Sequence, residues 1–105
     1  MKNDLLIQLK GYQCVFTDKN SLGYFYYADY VDKIFRLVVG DKIVENYKEI
    51  YEKIKQKDIS KLSKDELVAY FTYIERGERF CDGHIAKFLD NGIFVKLYER
   101  YLELC

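Results

Sequence analysis

The densest run of groups able to do chemistry is Arg76-Gly77-Glu78-Arg79-Phe80-Cys81-Asp82-Gly83-His84-Ile85-Ala86. A thiol stands three residues before the only imidazole of the chain. Nucleophilic catalysis by Cys81 would need a thiolate, a base such as His84 and a group to hold an oxyanion, and a helix N-terminus beside the thiol would lower its pKa. The spacing works against this pair. Residues three apart share a face only when both are helical, and Cys81 falls in the connector before a helix. Cys81 and His84 therefore stand as the alternative catalytic residues, within a small enzyme that uses the Cys81, Asp82 and His84 region. As metal ligands the two make half a zinc site. No second pair accompanies them, and Cys14 or Cys105 would have to arrive from distant segments, so neither metal nor cofactor is expected.

The same residues have a noncatalytic use. Asp82 is placed to accept from free backbone N–H groups at the start of the next helix, with Phe80 packed beneath and Gly83 allowing close approach of the two elements. Arg79 would then serve a carboxylate or the open carbonyls of a helix end. Arg76, Glu78, Arg79, Asp82, Gly83 and His84 form the candidate polar motif on this view. With the short helix, glycine and leucine-rich helix that follow, the motif resembles the RGERF-x-DG-x-IA pattern of a small bacterial domain family of unknown function, over residues 64–103 or so. Arg79, Phe80, Asp82 and Gly83 stand at the expected places. The resemblance implies a fold and no particular activity.

Two other constellations compete for a function. Tyr24, Phe25, Tyr26, Tyr27 and Tyr30 put five aromatic side chains into seven positions. Tyrosine joins apolar area to a polar tip, which suits core margins and protein interfaces alike, so this segment is the candidate interface with a protein partner or a second copy. Lys53, Lys55, Lys57, Lys61 and Lys64 form a basic run, but Glu52, Asp58, Asp65 and Glu66 interrupt it. A solvated connector is the expectation, with weak nucleic-acid binding as an alternative. The glycines fit no phosphate-binding pattern.

The elements that position these residues are mainly helical. The chain has 105 residues, half of them apolar and 32% charged, which suits a single domain over 1–105 with a core of its own. Leu5, Leu6 and Leu9 mark a first helix capped at Asn3 or Asp4 and ended by Gly11. Residues 12–27 lose the helical period and are aromatic and β-prone, which predicts an N-terminal aromatic β-hairpin or, in competition, an irregular loop. Val31, Ile34, Phe35 and Val38 follow three-and-four spacing after Asp29 up to Gly40. A stripe of Ile43, Tyr47, Ile50, Tyr51 and Ile54 follows. Ser63-Lys64-Asp65-Glu66 is a capping box that opens a helix bearing Leu67, Val68, Phe71 and Ile74, with Gly77 at its end. Ile85, Phe88 and Leu89 then mark a short helix stopped near Asn91-Gly92. Phe94, Leu97, Tyr98, Tyr101 and Leu102 line the last. The fold class is mainly α, a compact domain of about five to six short helices packed roughly antiparallel.

Seventeen basic residues balance seventeen acidic ones, so the net field neither recruits nucleic acid nor mimics it. Three cysteines are too few for a secreted disulfide scaffold, and the apolar patch near the start is too short for a signal sequence or membrane span. The expected setting is cytoplasmic and away from membranes. With no complete catalytic set in view, the expected function is a noncatalytic protein-binding or regulatory module, in a small protein of bacterial or mobile-element type.

Overall fold

A computed structural model of the chain describes residues 2–10, 29–40, 42, 44–78 and 83–104. These residues form six α-helices in chain order: α1 (Lys2–Lys10), α2 (Asp29–Val38), α3 (Tyr47–Ile54), α4 (Lys64–Gly77), α5 (His84–Asp90) and α6 (Ile93–Glu103), with a 3₁₀ turn at Ile59–Lys61 between α3 and α4. No strand occurs among the described residues. The hairpin expected over residues 12–27 lies outside them. The radius of gyration is 13.3 Å, close to the ~13 Å of a compact 100-residue domain.

The stripes of α2, α4 and α6 become packed faces. Val31, Ile34, Phe35 and Val38 of α2 are buried, as are Leu67, Val68, Phe71 and Ile74 of α4 and Phe94, Leu97, Tyr98 and Tyr101 of α6. At the centre, Phe35, Phe71 and Phe94 meet edge to face with ring centroids 5.2–5.9 Å apart. This is the geometry that puts the positive ring edge against the negative face. One aromatic from each of α2, α4 and α6 thus locks three helices together. Leu9 of α1 is fully buried and joins the same core, and α1 rests on α2 and α6.

The capping box has the expected reciprocal form. The Ser63 hydroxyl accepts from the Glu66 N–H at 3.2 Å, and the Glu66 carboxylate accepts from the Ser63 N–H at 2.9 Å. That second bond is the main reason the Glu66 carboxyl is held below the usual glutamate range. Gly40 and Gly92 take left-handed φ values of +57° and +81° where α2 and α5 end, a conformation that costs other residues a steric penalty.

Three expectations need correction. Helix α1 already runs at Lys2, so Asn3 and Asp4 lie within its first turn and neither is the N-cap. An acidic Asp4 there still favours the helix through the backbone dipole. Helix α3 begins at Tyr47, later than the stripe beginning at Ile43 implied; Asp41 and Ile43 lie outside the described residues. The lysine run is exposed along its length, as expected, but it is not all connector: Lys53 lies in α3 and Lys64 in α4. Lys55 pairs with Glu52 at 2.6 Å and Lys57 with Glu66 at 3.1 Å. Between them Asp58 caps the 3₁₀ turn, accepting from the Ser60 hydroxyl and N–H at 2.8 and 3.0 Å, which pulls its carboxyl below the ordinary range. Arg100 of α6 donates from Nε to the Leu62 carbonyl at 2.9 Å, tying the turn to the last helix beside fully buried Leu62.

Candidate functional site

The polar motif falls where α4 hands over to α5. Of its members the structure describes Arg76, Glu78, Gly83 and His84; Arg79, Phe80, Cys81 and Asp82 lie outside the described residues, as do Cys14 and Cys105. Glu78 reaches the start of α5 with its side chain. Its carboxylate accepts from the N–H of Gly83 at 2.9 Å and from the N–H of Ile85 at 2.8 Å. Two of the donors that a helix start leaves open are thereby satisfied by a charged acceptor, and the negative charge sits at the favourable end of the α5 dipole. Gly83 takes φ +91° at the N-cap position and carries no side chain to do this itself.

His84 performs the converse service. Its Nδ1 lies 3.0 Å from the carbonyl oxygen of Ile74 in the last turn of α4. A carbonyl can only accept, so Nδ1 carries the hydrogen and donates it. Each helix thus closes the open end of the other. The end of α4 supplies Glu78 to start α5, and the first residue of α5 supplies His84 to the end of α4. Glu78 also tightens the turn, its own N–H reaching the Glu75 carbonyl at 3.3 Å.

Gly77 makes the closure sterically feasible. A Cβ at this position would overlap the His84 imidazole. Its role is close approach; the glycine ends α4 without a left-handed φ. The ring then packs edge-on to Tyr73 and to Phe88, with both centroids at 5.2 Å. Tyr73 in turn stacks on Tyr51 of α3 at 3.7 Å with the rings nearly parallel, and Tyr70 meets Tyr51 edge to face at 5.2 Å. One turn away, the Arg76 guanidinium lies over the Tyr47 ring at 5.3 Å, a cation–π contact. Burial pushes the Tyr70 hydroxyl up to about 12, with the neighbouring Tyr51 and Tyr73 adding to the effect. Burial raises Tyr51 as well, and Tyr73 adds to that shift.

Glu78, Gly83 and His84 are therefore brought together, while Arg76 is spent on Tyr47. Sequence reasoning missed the partners that complete the joint: the Ile74 carbonyl, Gly77 as the imidazole's seat, and the Tyr51–Tyr73 stack. Tyr51 was legible as part of a stripe, but which ring it meets depends on how α3 crosses α4. Tyr30, in the first turn of α2, is half-buried and its hydroxyl is raised by that burial; Tyr24, Phe25, Tyr26 and Tyr27 lie outside the described residues.

Among the described residues no group of three or more His, Cys, Asp or Glu side chains is placed to hold a metal ion. No helix among the described residues is long and apolar enough to cross a membrane. An open cleft of about 670 Å³ is lined by Lys42, Val44, Asn46, Asp65 and Val68 and by no described residue of the joint.

These features define a compact, mainly helical domain in which a polar motif splices two helices. The chain belongs to the DUF6508 family, a family of unknown function whose model matches residues 7–105. No curated protein and no solved structure matches it.

Proposed function

We propose that this domain is a noncatalytic protein-binding or regulatory module, and that the aromatic segment from Tyr24 to Tyr30 supplies its contact with a protein partner or a second copy. The observation that carries this reading is the commitment of Glu78 and His84 to backbone groups across the α4–α5 joint. A carboxylate and an imidazole engaged in closing helix ends serve the fold, which leaves recognition as the better use of the remaining conspicuous groups. A second support is chemical. Tyrosine-rich segments give large contact area at small entropic cost, and a chain with no net charge approaches another protein without strong repulsion. The odd cysteine count fits a reducing, cytoplasmic setting.

The test compares single Ala variants of Tyr24, Tyr26, Tyr27 and Tyr30 with Cys81→Ser, by thermal stability, light scattering and affinity capture from the native cell. The expected result is that at least one tyrosine variant keeps its fold and loses association by thirtyfold or so, the loss of a ~2 kcal/mol contact, while Cys81→Ser binds normally. If every tyrosine variant is destabilised and no folded one loses association, the segment is internal packing and the proposal fails. A turnover abolished by Cys81→Ser in folded protein would move the assignment to a thiol enzyme.

A further inference from the structure

We draw no further inference here: the strongest candidate, the half-buried aromatic face of Tyr47, Tyr51, Tyr73 and Arg76 across α3 and α4, carries none because its rings are already paired with one another and nothing in the structure shows what covers it.

Discussion

Two aromatic clusters flank α4, and they are built from different chemistry. On one side Phe71 meets Phe35 and Phe94, three rings without a polar atom, all at most 3% exposed. On the other, Tyr70 and Tyr73 meet Tyr51, His84 and Phe88, so that nearly every ring carries a hydroxyl or a ring nitrogen. Successive residues of an α-helix point about 100° apart, which places Phe71 and Tyr73 on nearly opposite faces of α4. The phenylalanine cluster joins helices distant in sequence. The tyrosine–histidine cluster joins α3, α4 and α5, which are consecutive, and includes the joint that splices two of them. An apolar cluster gains by exclusion of water and tolerates no partner-seeking group. A polar-tipped one must also satisfy its hydroxyls and nitrogens, and it gains direction in return.

That difference predicts unequal losses. Phe71→Ala removes the central ring of the apolar cluster and leaves a cavity among side chains that cannot collapse freely, so it should lower unfolding stability by about 3–5 kcal/mol. Tyr73→Ala, at a half-buried site with solvent nearby, should cost roughly half as much or less by the same reasoning. Urea unfolding of the two variants checks the ratio. Equal losses would mean that both clusters act as one core and that the comparison is wrong.

The joint makes a sharper demand at Gly77. Helix propensity alone says that Gly→Ala inside a helix stabilises by up to about 1 kcal/mol. Here the added methyl meets the His84 ring, and overpacking of this kind costs about 1–3 kcal/mol. Gly77→Ala is therefore expected to destabilise. In the Gly77→Ala background, His84→Ala should recover part of the loss, because the obstructing ring is gone. A double-mutant cycle measures the coupling; a stabilised Gly77→Ala, or strictly additive losses, would show that the imidazole does not occupy this seat.

Glu78→Gln isolates the charge at the start of α5. The amide oxygen can still accept, but the acceptor is neutral and opposes the helix dipole less well, so a loss of about 1 kcal/mol is expected. Asp82→Ala provides the contrast. If Glu78 is the main cap, denaturant unfolding should be more sensitive to Glu78→Gln than to Asp82→Ala, and the reverse order would give the larger part of that role to Asp82.

Much of this architecture is legible in the sequence, and the exceptions have physical causes. The stripes of α2, α4 and α6 are readable because burial selects apolar residues at every third or fourth position, and the Ser63–Glu66 box because both partners lie within one turn. The 3₁₀ turn at Ile59–Lys61 is three residues long, too short to show a period. Glu78 stands out as polar, but the N–H groups its carboxylate accepts from lie five and seven residues ahead across a change of direction. That distance is set by the path of the chain, which local propensity does not specify. Gly77 reads as a helix stop, and the steric reason for glycine there appears only once His84 is folded against it. The candidate binding segment stays at the level of composition: tyrosine content says what such a surface does well, and only Tyr30 has a described place, at the start of α2.

The smallest expected effect on stability concerns Tyr70, and it is the most selective probe of the polar-tipped cluster. The residue is 3% exposed, and no hydrogen-bond partner for its hydroxyl occurs among the described residues. Replacing it with Phe leaves the ring contacts with Tyr51 and Phe88 in place and removes a hydroxyl whose burial is uncompensated there. Stability at neutral pH should consequently change by less than about 1 kcal/mol, with a slight gain as the favoured sign. The alkaline limb should change more. A tyrosine whose folded-state pKa is raised from 10.0 to about 12 is neutral in the fold, so its contribution is complete below pH 10 and lost as the pH rises through about 12, where the unfolded chain ionises first. Tyrosinate absorbance of the native protein should show a late-ionising group near pH 12, ahead of or together with alkaline unfolding. Tyr70→Phe should delete that step. If the late step survives the substitution, the most protected phenol lies elsewhere, and the α3–α5 side of α4 is wetter than its packing implies.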